Sequence, residues 1–186
     1  MKILIAEDEV GMRVLLENLL TEWGFQVVSV ATGPEAWDLL TTADAPRLAV
    51  LDWMMPGLEG DEICRRVRKE EETKETYTYL ILLTAKESKE HVIRGLEAGA
   101  DDYIVKPVDP SELKVRVGVG QRIIQLQSDL LAAKSDLLEQ SRTDPLTGVL
   151  NRRAILSQMN DELKRAERTD THLSLALLDI DHFKAT

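Results

Sequence analysis

Residues 48–57, LAVLDWMMPG, decide the fold. Four apolar residues, Leu48 to Leu51, run without alternation into an acid, Asp52, and a Pro-Gly turn follows at Pro56-Gly57. A short run with no polar face reads as a strand covered on both sides. Two distant segments repeat the pattern. KILIAED at 2–8 ends in Glu7-Asp8, and DDYIVKP at 101–107 ends in Lys106-Pro107. If the runs are parallel strands, their ends meet along one sheet edge, and three carboxylates share a crevice with one ammonium. Carboxylates that close repel unless a cation lies among them, so the cluster implies a hard, oxygen-preferring metal such as Mg²⁺. Such a site points to phosphoryl transfer.

Outward from that stretch, strand and helix signals alternate from residue 1 to about 110. Strands are predicted at Ile3–Ala6, Val27–Val30, Leu48–Leu51, Leu80–Leu83 and Tyr103–Val105. Between them lie a helix carrying Val14, Leu15, Leu19 and Leu20 and ended by Gly24, and a helix opened by Gly33-Pro34. Two more follow at Asp61–Lys69 and Lys89–Ala98, the latter closed by Gly99, and Ser111 is expected to cap a last one. The alternation predicts an α/β fold with a doubly wound five-stranded parallel sheet. In such sheets ligands bind beyond the carboxyl ends of the strands, where Asp8, Asp52, Thr84 and Lys106 all fall.

The chain has 186 residues, enough for one full domain and part of another. A formal net charge of −10 argues against nonspecific binding to nucleic acid or anionic membrane. No apolar run approaches the roughly 20 residues of a membrane span. MKILIAEDE does not read as a signal peptide, and a cytoplasmic protein is expected. Cys64 is alone and is expected to be buried and inert.

From Ser111 to about Arg142 there is neither proline nor strand signal. Val119, Ile123, Leu126, Leu130, Ala133, Leu137 and Gln140 alternate spacings of four and three, an a/d seam flanked by Ile124, Leu131 and Leu138. A helical stalk over 111–142 is expected, pairing as a coiled coil in a dimer; the alternative is one helix folded back on its own domain. Gly118 and Gly120 weaken the helix and suggest a soft joint. Beyond it, SRTDPLTGVLNRRAI leads to an amphipathic segment with Ile155, Met159, Leu163 and Ala166 in line. Leu173 to Ile180 is an apolar run ending in acids. A lone helix and strand cannot close a core, so 143–186 reads as an incomplete α+β fragment.

The Glu7-Asp8 pair, D-x-M-M-P-G from Asp52, Thr84-Ala85 and Lys106-Pro107 together resemble the receiver domain of bacterial two-component response regulators, over residues 1–118. The resemblance implies a flavodoxin-like fold and phosphorylation of Asp52 by a sensor histidine kinase or phosphotransfer protein. It implies Mg²⁺ held by Asp8, Asp52 and the Met54 carbonyl, with Glu7 on a metal-bound water. Lys106 would meet the phosphoryl group, Thr84 would donate its hydroxyl to it, and Tyr103 would be the aromatic switch. A cis peptide is expected at Lys106-Pro107. Trp53 is expected at the rim, Met54 and Met55 in packing roles, and Asp101 and Asp102 in a solvated turn.

DPLTGVLNRRAI at 144–155 and LALLDIDHFK at 175–184 resemble the opening of a diguanylate cyclase (GGDEF) domain. By that match Asp179 would be a metal ligand with the Ile180 carbonyl, and the Phe183 region would approach nucleotide phosphates. The GGDEF loop is not in this sequence, so this chain itself is expected to be inactive as a cyclase. The combined reading is a phosphorylation-controlled module that dimerises through the face around Lys86–Ala98 and Tyr103–Val117 and through the stalk. The alternative is a phosphorylation-gated partner-docking module with a constitutive coiled coil and no enzymatic output.

Overall fold

The computed structural model describes residues 1–71, 76–85, 89–140, 142–176 and 178. Its first ten elements are β1 (Lys2–Ala6), α1 (Val10–Glu22), β2 (Gln26–Val30), α2 (Gly33–Leu40), β3 (Leu48–Asp52), α3 (Gly60–Glu71), β4 (Tyr79–Thr84), α4 (Lys89–Glu97), β5 (Asp102–Val105) and α5 (Pro110–Gln140). The five strands form one parallel sheet in the order β2-β1-β3-β4-β5. The order reverses between β1 and β3, which opens a crevice above their carboxyl ends.

The unbroken apolar runs have the expected cause. Successive strand side chains point to opposite faces, and both faces are covered. Ile3, Ile5, Leu48, Val50, Tyr79, Ile81 and Leu83 pack with Leu16 and Leu20 of α1 and Leu113, Val117 and Ile124 of α5. Their neighbours Leu4, Ala6, Ala49, Leu51, Leu80 and Leu82 pack on the other face, with Ala36, Ile63, Cys64 and Val67 from α2 and α3. Cys64 is buried as expected, and burial pushes its thiol up to about 12, which disfavours the thiolate.

Local signals placed most boundaries. Gly24 and Gly99 end α1 and α4 with positive φ. The cap of α5 differs from expectation: Asp109, not Ser111, accepts from the backbone N–H groups of Ser111 and Glu112, at 2.8 and 3.0 Å. Pro110 then takes the first helical position, where its missing N–H is harmless.

Residues Met1–Leu130 form one compact unit, so α5 stays on its own domain beyond residue 118. The helix is unbroken at its glycines. Gly120 is buried, and a Cβ there would lie 2.5 Å from the Tyr79 ring and 2.8 Å from Leu48. It permits a close approach of helix to sheet and is no soft joint. One helical turn on, Ile124 is core. Arg47 then hydrogen-bonds the Tyr77 carbonyl, Ser128 Oγ and Gln127 Oε1. The predicted apolar stripe splits in two: Ile124 faces the domain, whereas Ile123, Leu126, Leu130 and Leu137 are exposed. The side chains of Leu138 and Gln140 lie outside the described residues.

The second unit, Leu131–Thr186, holds a turn and a helix. Asp144 Oδ1 accepts from the backbone N–H of Leu146 and Thr147, at 3.1 and 2.9 Å, and an antiparallel bridge joins Thr143 to Leu150. The eleventh element, α6 (Arg152–Thr169), is capped by Asn151, whose side chain accepts from the Ala154 N–H. Leu173 to Ala176, expected to begin a strand, are in no regular element. A strand needs a neighbour to take its backbone hydrogen bonds, and the described residues supply none there. Asp179, Ile180 and Phe183 lie outside the described residues.

Candidate functional site

Three strand ends deliver the site. β1 runs into Glu7 and Asp8, and the Glu7 N–H still bonds the Val30 carbonyl at 3.1 Å, which extends the sheet geometry into the acid pair. β3 ends on Asp52. Beyond it the chain turns back closely: a Cβ on Gly60 would lie 2.4 Å from the Asp52 carbonyl oxygen, so only glycine fits. β5 leads to Lys106, whose N–H bonds the Thr84 carbonyl at 2.8 Å and whose bond to Pro107 is cis.

One carboxylate oxygen from each of Glu7, Asp8 and Asp52 lies within 4.8 Å of the others. Glu7 and Asp52 are buried and Asp8 is exposed, so the crevice opens to solvent on one side. Lys106 Nζ lies 2.8 Å from Glu7 Oε2 and 3.0 Å from Asp52 Oδ2. Burial raises the pKa of Glu7; the Asp52 charge adds to this, and the hydrogen bond from Lys106 offsets only part. Burial alone would lower Lys106, but its hydrogen bonds to the two carboxylates and their charges raise it. Glu7 Oε2 is buried and makes no hydrogen bond of normal geometry, despite the nearby ammonium. Three carboxylates crowded around a single ammonium are a donor set that suits Mg²⁺.

The family comparison agrees with this geometry. A family model described as the response regulator receiver domain matches residues 3–118. The chain belongs to the receiver-domain family. A second model, the diguanylate cyclase GGDEF domain, matches residues 141–186. The phosphate regulon transcriptional regulatory protein PhoB of Rhizobium meliloti (strain 1021) is 43% identical over 116 residues, covering 62% of this chain and 50% of that protein. The probable transcriptional regulator ycf27 of Porphyridium aerugineum is 38% identical over 150 residues, covering 81% and 55%. The chain thus spans about half the length of these relatives. Among solved structures, the Francisella response regulator 1452 receiver domain superposes with a TM-score of 0.59 at 33% identity, over 65% of this chain and 96% of that one. The receiver domain of a LuxO repressor protein from Vibrio parahaemolyticus gives 0.62 at 22% identity, over 70% and 95%, and supports the fold alone.

Within this receiver the other expected residues scatter. Thr84 is buried at the end of β4, in register with Val105. Ala85 and Pro107 are exposed beside it. Tyr103 is half-buried against the core, and the Arg116 guanidinium lies 6.0 Å from its ring centre. Met54 is exposed, whereas Met55 packs, so only one of the two methionines has the expected packing role. Trp53 is not at the rim. It is core, beneath α4, where a Cβ on Gly95 would lie 2.8 Å from its ring.

Asp101 and Asp102 are no solvated turn. Asp101 accepts from Arg68 at 2.7 Å, from the Leu80 N–H at 2.7 Å and from the Tyr77 hydroxyl. Asp102 pairs with Arg116 at 2.6 Å. Further contacts escaped the sequence reading. Arg13 donates to the carbonyls of the acid pair, and Arg47 ties α5 down. Asp61, nearly inaccessible, accepts from Arg65 and Arg94 and joins α3 to α4. An arginine one turn into the helix after an acid pair is a visible signal; long-range partners such as Arg94 leave none.

Proposed function

We propose that this chain is the phosphoacceptor module of a two-component response regulator, with Asp52 as the phosphoryl acceptor. The observation that carries it is the triad of Glu7, Asp8 and Asp52 oxygens within 4.8 Å, with the Lys106 ammonium 3.0 Å from Asp52. The donor is a phosphohistidine on a sensor kinase or phosphotransfer protein. A carboxylate oxygen of Asp52 attacks phosphorus, an O–P bond forms, the P–N bond breaks, and the imidazole leaves. Asp8 and Asp52, with the Met54 carbonyl, would hold Mg²⁺, which shields carboxylate charge from the incoming phosphoryl oxygens. Glu7 would orient a water on it. Lys106 balances the charge of the transferred group, and the Thr84 hydroxyl donates to it afterwards.

Phosphorylation adds charge and acceptor oxygens at the strand ends. Thr84 is drawn toward them, Tyr103 turns inward, and the face of α4, β5 and α5 changes. That face carries exposed Ile93, Leu96 and Val115, and α5 carries exposed Ile123, Leu126 and Leu130 within the same unit. An apolar line of this kind fits a second copy, so phosphorylation would favour a dimer whose stalks align a diguanylate cyclase output.

With acetyl phosphate and Mg²⁺ the wild-type chain gains one phosphoryl mass and Asp52→Asn gains none; an unchanged gain in the variant overturns the assignment. Sedimentation with Mg²⁺, before and after beryllium fluoride, tests the output. A monomer-to-dimer shift supports control of assembly. A dimer in both states, or a monomer in both, removes it and favours a docking module.

A further inference from the structure

We propose that Arg13 is a positioning residue for the metal-binding acid pair, an inference that rests on the metal-site reading above. Arg13 lies one turn into α1, and its Nη1 sits 2.6 Å from the Glu7 carbonyl oxygen and 3.3 Å from that of Asp8. One guanidinium thus gathers two successive carbonyls. Each peptide is planar, so holding both oxygens fixes the two planes from which the Glu7 and Asp8 side chains depart.

The remaining restraints on the pair are uneven. The Glu7 N–H is tied to Val30 at 3.1 Å, and its side chain meets Lys106 and the Glu9 N–H. Asp8 is past the end of β1 and exposed. Arg13 is the contact that carries sheet order across into Asp8. A guanidinium suits this work, because it only donates and stays charged. Among the described residues it pairs with no carboxylate, so it takes no ligand oxygen from a metal. Lys106 differs, lying directly against Glu7 and Asp52.

The sign of the effect separates positioning from charge. Arg13 brings a cation to the backbone of two of the three acids, so if charge alone mattered, its removal would tighten Mg²⁺ binding. Positioning requires the reverse. Calorimetric titration of the full chain with Mg²⁺, without any phosphodonor, is the readout. Arg13→Ala should weaken the dissociation constant about tenfold, the order expected for losing a charge-assisted hydrogen bond. Arg13→Lys keeps the charge but puts the donor on a shorter stem that reaches the two carbonyls less well, and should raise the dissociation constant about threefold. In acetyl phosphate assays the Mg²⁺ concentration for half-maximal rate should rise in step, with the rate at saturating Mg²⁺ restored.

Equal or tighter Mg²⁺ binding by Arg13→Ala overturns the proposal while leaving the metal site intact. Should Arg13→Ala fail to fold, Arg13→Lys decides alone, and unchanged affinity in it overturns the proposal. A wild-type chain that takes no Mg²⁺ overturns the metal-site reading, and this proposal with it.

Discussion

The two edges of the receiver's sheet handle charge in opposite ways. At the carboxyl edge, Glu7, Asp8 and Asp52 crowd around one ammonium, and a buried Glu7 oxygen is left without a good hydrogen bond. At the amino edge, beneath β4 and β5, two carboxylates share one guanidinium, and both are satisfied by further hydrogen bonds. Arg68 meets Asp101 and Glu71 at 2.7 and 2.6 Å, donates to the carbonyls of Gly99 and Thr78, and stacks 4.6 Å from the Tyr77 ring centre. Glu71 in turn accepts from the Thr78 N–H at 2.6 Å. A satisfied network rigidifies, whereas a surplus of like charge favours a cation. One end of the sheet therefore satisfies its buried charges, and the other leaves like charges crowded together.

The largest effect that could break this contrast is at Arg68. Arg68→Ala strands Asp101 and Glu71, both largely buried, and should lower stability by about 3 kcal/mol, near the low end for removing one partner of a buried pair. Urea unfolding measures it; a loss under about 1 kcal/mol would mean the network is ornamental. Next come two glycines two residues apart in α5. Gly120→Ala pushes a methyl into Tyr79 and should cost about 1–2 kcal/mol, whereas Gly118→Ala, with nothing within 4 Å, should add up to about 1 kcal/mol. Opposite signs in the same unfolding series would sharpen the view that α5 docks at the amino edge through position 120.

Arg47→Ala should follow, with a loss of about 1–2 kcal/mol from its hydrogen bonds to Tyr77 and Ser128. Faster amide hydrogen exchange confined to the helix around Ile124 to Ser128 would show that Arg47 holds this part of α5 to the domain. The smallest effect belongs to the carboxyl edge. Asp52→Asn relieves like-charge crowding, so without Mg²⁺ its melting temperature should hold or rise slightly, by no more than about 1 kcal/mol in stability. A clear drop would mean the acids are structural, and the contrast between the edges would fail.

Most of the sheet was legible because strands covered on both faces leave unbroken apolar runs: LAVL and LILL need no partner to be recognised. The acid-and-lysine edge was legible because these residues stand directly at the ends of those runs. Trp53 was misplaced because its neighbour Asp52 is at the crevice, yet adjacent residues at a strand end face opposite ways. Asp101 and Asp102 were misread for a different reason. A DD pair before a strand looks like any solvated turn, and its partners Arg68 and Arg116 lie 33 and 14 residues away.

The sequence by itself determined the α/β alternation, the five strands, the acid-and-lysine edge and the opening of a second, GGDEF-like segment. These follow from local periodicity and from residue types at fixed offsets, which survive in any window of the chain. Only the tertiary structure decided which cation meets which carboxylate, that Gly120 is a contact and Ile124 core, and that Arg13 grips the backbone of the acid pair. Those choices depend on strand order and on how closely helix and sheet approach, and both are set by packing among residues far apart in the chain.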